Sequence, residues 1–526
     1  MAVKTGSGEG MRTSRDGLLT ALILLAAGLL GAAGVLYFGP GILHPGRDQK
    51  PPLDIAREPV APPARPRTVA LTEIVGEPVE PARPASPGRD AAISAPVPES
   101  APADAAPADA APADAAPTDA APALPAAPVE AAAEPPPAAG EATPTPADVT
   151  AAIAKPPPAP ASKRGLVILQ IGDSHTSADF LTGELRRRLQ ARYGRGAPGY
   201  ITAGHPHIGV RSSSLNITAS SGWTYKSLQR PDAEPAEFWL SGYNAVASAA
   251  GETLTFASGE PQTFDMIEIE VVRQPQGGSI DVKLDGVVQT SHSLKSTKIQ
   301  PVVIRLVPTQ GATEKVREIA ITTSGPGQVM IASVAIYNRL TGLTYNSVGY
   351  VGAQASLLNK FSTKLFTNDL LRIRPDVVVL AFGTNEASNQ GLDLVQYGKG
   401  YERIIAKIRA ALPDAAIVMI LPPDFSEHAS GSKSDCPWHT PAKLGQIREV
   451  QREIAQRERI PYWNWASIMP SECGAHRWFT ATPPLMAKDH VHFTTEGYKK
   501  SAEQFLTTLI PVIEKVWVGE NAVPNN

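Results

Sequence analysis

Cysteine, aromatic residues and surplus positive charge are all scarce in this chain. Its 526 residues hold two cysteines, Cys436 and Cys473. Neither has a histidine and an asparagine at the spacing that would mark a thiol nucleophile. In an exported protein the pair is compatible with one disulfide, and equally with two separate buried thiols. The formal net charge is -3, which leaves no basic footprint and excludes nucleic acid as an expected partner. Metal-ligand spacing is missing as well. His205-Pro206-His207 has no cysteine or acidic ligand at zinc-like spacing, reads as a boundary loop, and leaves no metal or other cofactor to expect.

Long apolar runs are limited to one. Gly17 to Gly39 (GLLTALILLAAGLLGAAGVLYFG) is uncharged over about the length that crosses a bilayer. Lys4, Arg12 and Arg15 precede it, diluted by Glu9 and Asp16. This predicts a cytoplasmic N-terminus at 1–16, a transmembrane signal anchor at 17–39, and export of the remainder of the chain. A cleaved signal peptide is the competing reading; the length of the run and the lack of an Ala-x-Ala site stand against it. The expected location is the inner membrane, itself a partner through the N-terminal helix, with the catalytic part in the periplasm. Residues 44–163 are dominated by proline and alanine and include the repeat APADA-APADA-APADA-APTDA at Ala101 to Ala120. A segment so poor in aromatics cannot bury enough apolar area to offset chain entropy, which predicts a disordered, semi-extended linker.

Ordered structure is expected from about Gly165. Leu166 to Ile171 reads as a buried strand, and Leu181, Leu185 and Leu189 stripe the helix after it. Arg186, Arg187 and Arg188 read as that helix's solvated face. From about 205 to 340 the pattern changes to short β-rich runs, FDMIEIEVV, SIDVKLDG, PVVIRLV, REIAITTS and VMIASVAIY, separated by turn residues. These predict an antiparallel β-sandwich inserted into the catalytic domain. Then β-α alternation resumes: DVVVLAF (Asp376 to Phe382) and AAIVMIL (Ala415 to Leu421) as parallel strands, a helix striped by Leu444, Ile447, Val450 and Ile454, PYWNW (Pro461 to Trp465) as a strand, and a closing helix at Thr494 to Leu509. Catalytic groups in such sheets gather at the carboxyl ends of strands.

Three short motifs stand at those ends in order: IGDSHT (Ile171 to Thr176), FGTNEA (Phe382 to Ala387) and KDHVHF (Lys488 to Phe493). A glycine-bearing loop, NSVGYVGAQ (Asn346 to Gln354), lies between the first two. Each alone is weak, and an isolated Asp-Ser would read as a helix cap. The ordered set carries chemistry. A serine hydroxyl needs a base, and His492 has a carboxylate orienter three residues earlier in Asp489. His490 is the rival base, but the D-x-x-H spacing favours His492. Acyl transfer passes through an oxyanion, for which the Ser174 N–H, the Gly352 N–H and the Asn385 amide are the candidate donors. Asp173 reads as a brace for the turn. Trp438 and Trp478, in loop-like context, are candidates for substrate contact.

Together these motifs resemble the SGNH/GDSL hydrolases, whose name lists the residue types found here as Ser174, Gly352, Asn385 and His492. The resemblance implies a three-layer α/β/α flavodoxin-like sandwich at 164–204 and 341–515, the β-sandwich at 205–340 as an insert, and a tail at 516–526. It also implies ester hydrolysis or acyl transfer without a metal. Gly352 matches the oxyanion position better, with Gly349 as the fallback, and His175 stands where many members carry leucine. The interrupted domain is similar to the periplasmic peptidoglycan O-acetylesterases, in which such an insert resembles a carbohydrate-binding module. The function this implies is a serine esterase removing O-acetyl groups from peptidoglycan or another cell-envelope polysaccharide, with an acylated polysaccharide as partner. An O-acyltransferase drawing on a membrane acyltransferase partner is the second reading, and a non-catalytic glycan-binding scaffold the third.

Overall fold

A computed structural model describes residues 71–76, 164–308, 313–428, 436 and 438–519, all within one compact unit, residues 66–526. Five parallel strands form the sheet that matters for function: β1 (Leu166–Gly172), β2 (Leu343–Gly349), β3 (Val377–Ala381), β4 (Ala416–Leu421) and β5 (Tyr462–Asn464), in the order β2-β1-β3-β4-β5. β1 and β3 are buried at every residue, because helices cover both faces of a parallel sheet. The helices are α1 (Ser174–Ser177), α2 (Phe180–Tyr193), α3 (Thr363–Ile373), α4 (Thr384–Ala387), α5 (Leu394–Ala411), α6 (Ala442–Arg457), α7 (Gly474–Phe479) and α8 (Thr495–Gly519).

Alternation along β1 divides the core. Leu166 and Ile168 join Leu181, Leu185, Leu189 and the α8 residues Phe505, Leu506 and Leu509 on one face. Val167, Leu169 and Ile171 join Phe366, Leu370, Ile404, Ile408, Ile447 and Ile454 on the other. The two-residue period of a strand thus feeds two helical layers from one sequence stretch.

Two antiparallel sheets take all their strands but one from the stretch between β1 and β2, and the exception is Leu71–Gly76. One orders Leu71–Gly76, Gln300–Pro308, Met266–Arg273, Val329–Tyr337, Tyr243–Ala247 and Thr224–Ser227, with Gly199–Thr202 also paired to Val329–Tyr337. The other orders Val287–Ser293, Ser279–Leu284, Glu314–Thr323, Thr253–Phe264 and Asn216–Ala219. Phe256, Phe264, Ile269, Val282, Ile321 and Ile331 are among the buried residues between them. Tyr200, Leu240 and Tyr243 instead share a core with β1 and α3, so this part packs directly on the parallel sheet's helical layer.

Several expectations are corrected. Gly199–Thr202, assigned from the sequence to the hydrolase segment 164–204, is a strand of the antiparallel sheet. Leu71–Gly76, inside the stretch read as disordered linker, pairs antiparallel with Gln300–Pro308. Its sequence, LTEIVG, is a proline-free island with β-branched residues and supplies the ladder donors that the surrounding Pro-rich chain lacks. Arg186 is not solvated: it is buried, pairs with Asp179, and donates to the Tyr345 carbonyl, so only Arg187 of the three arginines is well exposed.

The expectation of an inner-membrane-anchored chain is also overturned, because among the described residues no helix is long and apolar enough to cross a membrane. The described helices are short, or, like α8, carry charged residues along the face turned from the sheet. The run at 17–39 on which that expectation rested lies outside the described residues, as does most of 44–163.

Candidate active site

The parallel register assembles the site. Gly349, Gly172 and Ala381 are cross-strand partners at the ends of β2, β1 and β3, so the three chains leave the sheet side by side. The Asp173 N–H donates to the Ala381 carbonyl at 3.2 Å, and the Tyr350 N–H to the Gly172 carbonyl at 2.9 Å, which holds the first residues of all three loops together. Ser174 opens α1 with Asp173 as its N-cap; the Asp173 carboxylate accepts from the His175 N–H at 3.0 Å.

From the far end of the chain, the turn before α8 brings the histidine. His492 Nε2 lies 2.8 Å from Ser174 Oγ, and its Nδ1 lies 2.7 Å from Asp489 Oδ2. Asp489 Oδ1 also accepts from the Val491 and His492 N–H groups, at 3.0 and 2.9 Å, so the carboxylate is fixed by the turn it belongs to. With Nδ1–H donating to Asp489, Nε2 is the acceptor for the serine proton.

Electrostatics follow from these contacts. Partial burial pushes the Asp489 carboxyl up, but the hydrogen bonds from His492 and the two backbone N–H groups outweigh it and hold the acid below the usual carboxylate range. The Asp489 hydrogen bond raises His492 above an ordinary imidazole against the opposing effect of burial. Asp173, fully buried, is pushed up to about 6 by desolvation. His175, buried behind His492 with ring centroids 5.2 Å apart, is driven down to about 3 by burial and is neutral. Its Nδ1 lies 2.9 Å from the Tyr498 hydroxyl, and its ring packs with Trp465 and Phe493. The position where many SGNH/GDSL members carry leucine is thus filled by an uncharged aromatic ring.

The two glycines of the second motif have different tasks. A Cβ on Gly349 would stand 2.1 Å from the Ser177 backbone nitrogen, so this glycine permits α1 to rest against β2. Gly352 has φ +71° with open space around it, and among the described residues nothing accepts its N–H. Asn385 Nδ2 donates to the Ala353 carbonyl at 2.9 Å, which commits one of its amide hydrogens to the loop that follows Gly352.

His490, the rival base, lies buried away from Ser174: its Nδ1 meets the Lys488 carbonyl at 3.1 Å, its Nε2 meets His476 Nδ1 at 3.1 Å, and its ring stacks on Trp438 at 3.6 Å. Trp438 is half-buried on this stack. Trp478 is not available to a substrate; it is buried in the core against Phe493, because α7 turns it inward. Cys436 and Cys473 form a disulfide with Cα atoms 6.2 Å apart, joining the chain before Trp438 to the start of α7. Among the described residues no group of histidine, cysteine or acidic side chains is arranged to hold a metal.

In fold and motifs the chain resembles the SGNH/GDSL hydrolases, a class of carboxylic ester hydrolases. A model of the GDSL-like lipase/acylhydrolase family matches residues 326–500, a span that includes Gly352, Asn385, Asp489 and His492 but not Ser174. In fold the chain is similar to a peptidoglycan O-acetylesterase, with a TM-score of 0.55 and 24% identity over 70% of this chain and 96% of that one. Weaker likenesses join a GDSL-like lipase from Parabacteroides merdae (17% identity, 32% of this chain and 73% of that one, TM-score 0.25) and a family two carbohydrate esterase from Clostridium thermocellum (11%, 58% and 99%, TM-score 0.24). Comparison with curated proteins finds no match.

Proposed function

We propose that this chain is a serine esterase that removes O-acetyl groups from peptidoglycan or another cell-envelope polysaccharide. The observation that carries the proposal is the continuous relay from Ser174 Oγ through His492 to Asp489, at 2.8 and 2.7 Å. His492 takes the Ser174 proton as Oγ attacks the acetyl carbonyl; Asp489 stabilises the imidazolium that results. The Ser174 and Gly352 N–H groups and the remaining Asn385 amide hydrogen are the donors for the oxyanion. The imidazolium returns its proton to the departing sugar oxygen, leaving acetyl-Ser174, and water activated by the same histidine then releases acetate. We read the two antiparallel sheets, built mainly from 205–340 together with Leu71–Gly76 and Gly199–Thr202, as the part that holds the glycan, an inference supported by the likeness in fold to an O-acetylesterase over 70% of this chain.

Hydrolysis is favoured over transfer to a sugar hydroxyl, because the His492 and Asp489 side chains are 38% and 50% exposed. Acyl transfer needs a site that excludes water, and these two groups stand in it. The test is acetate release from O-acetylated peptidoglycan by wild type and Ser174→Ala. The proposal expects release by wild type and a fall of at least about 10⁴-fold in the variant; equal rates would overturn it.

A pH profile follows from the raised imidazole. Activity requires neutral His492, so kcat/KM is lost as pH falls through that group's pKa, which lies above the ordinary 6.5. Asp489→Asn removes the group that raises it. The acid limb is expected to move to lower pH while the plateau drops by as much as ~10⁴-fold. A limb that stays in place would mean that another group governs it.

A further inference from the structure

The loop that carries Gly352 is held before the glycine by the Tyr350 N–H, which donates to the Gly172 carbonyl, and by Gln229 Nε2, which donates to the Val351 carbonyl at 3.0 Å. Gly352 sits at φ +71° with no atom near the position a Cβ would take, yet an oxyanion donor must be fixed before the charge forms. The restraint after the glycine comes largely from the third motif. Three consecutive residues after the glycine are tied to Asn385 and Glu386: the Ala353 carbonyl accepts from Asn385 Nδ2 at 2.9 Å, Gln354 Nε2 donates to the Asn385 carbonyl at 3.4 Å, and the Ala355 N–H donates to Glu386 Oε1 at 2.7 Å. Glu386 lies on α4 and is fully buried. A carboxylic acid in such a place costs free energy that leucine would not, and what it supplies in return is the acceptor for Ala355.

We infer that Glu386 is a positioning residue that holds the Val351–Ala355 loop, and through it the Gly352 N–H, against Ser174. The inference rests on the reading of Gly352 as an oxyanion donor. Burial pushes the Glu386 carboxyl up to about 7, so near neutrality both protonation states are populated. Oε1 can accept the amide hydrogen in either state. Reach, not charge, is therefore what the loop requires.

Two conservative substitutions separate these. Glu386→Asp keeps the acid but withdraws it by one methylene; Glu386→Gln keeps the reach and gives up the charge. With an aryl acetate as substrate, Glu386→Asp is expected to lower kcat about 10–100-fold, part of the cost of losing an oxyanion donor, with KM changed less than about twofold. Glu386→Gln is expected to keep kcat within about threefold. Deuterium uptake across residues 350–355 should rise in the Asp variant and stay at the wild-type level in the Gln variant. Wild-type kcat in Glu386→Asp, or equal losses in both variants, would overturn the inference. Should the wild type itself turn over no ester, the acyl-enzyme reading fails, and the uptake comparison still decides whether Glu386 holds the loop.

Discussion

Alanine at His492 is expected to lower kcat for an aryl acetate by about 10⁴–10⁶-fold, and the Ser174→Ala, His492→Ala double variant should be no slower than either single one. In the proposed mechanism serine and histidine act as one unit: without a base at 2.8 Å the hydroxyl keeps its proton, and without the hydroxyl the base has nothing to activate. Whatever activity survives reflects binding and oxyanion donors alone. His490→Ala is the control. Its ring nitrogens are engaged by Lys488 and His476 and its face by Trp438, so its loss disturbs packing beside the catalytic turn without removing a proton acceptor. Steady-state kinetics on the four variants checks this; a His492→Ala enzyme within tenfold of wild type would exclude His492 as the base.

The second large effect concerns stability. Arg372 of α3 donates to Glu268, Glu270 and Asp369. All three carboxylates are buried, and Glu268 and Glu270 belong to the antiparallel strand Met266–Arg273. Glu268 has a second partner in Arg305 at 2.7 Å; Glu270 also accepts from the Tyr200 and Ser333 hydroxyls, and Asp369 from the Leu240 N–H, each at 2.6 Å. Arg372→Leu removes the one cation common to the three acids. The expected loss is about 3–5 kcal/mol, because uncompensated buried charge costs more than the pair itself contributed. Chemical denaturation measures it, and adding Glu270→Gln to Arg372→Leu should recover part of the loss. A single variant as stable as wild type would show that the cluster is solvated and plays no part in joining α3 to the antiparallel sheet.

Much of the candidate site is legible in the sequence because its residues are carried by local motifs. Asp489 and His492 are three residues apart and share one turn, so their pairing depends on short-range geometry. The glycine pair is legible only as far as its spacing. Which of Gly349 and Gly352 faces the reaction is left to the α1–β2 packing distance and to backbone conformation. Trp478 shows the converse: its loop-like neighbours suggest exposure, while the α7 turn buries it. Arg186 reads as solvated because a three-arginine run gives no sign that one member finds a buried Asp179 across the turn. Glu386 gives no signal either, since a glutamate beside Asn385 looks like a turn residue until Ala355 is seen to donate to it.

Composition and periodicity determined by themselves the alternation of strand and helix, the change to antiparallel β structure after the first helix, and the four chemical groups in their order along the chain. These depend on side-chain type and on contacts a few residues apart. Tertiary structure alone decided that Gly172, Gly349 and Ala381 end in register, that 318 residues of separation close to a hydrogen bond between Ser174 and His492, and that Arg372 finds three acids on two elements. Such pairings are set by sheet register and helix packing, which depend on the whole core and leave no mark in any single stretch of sequence.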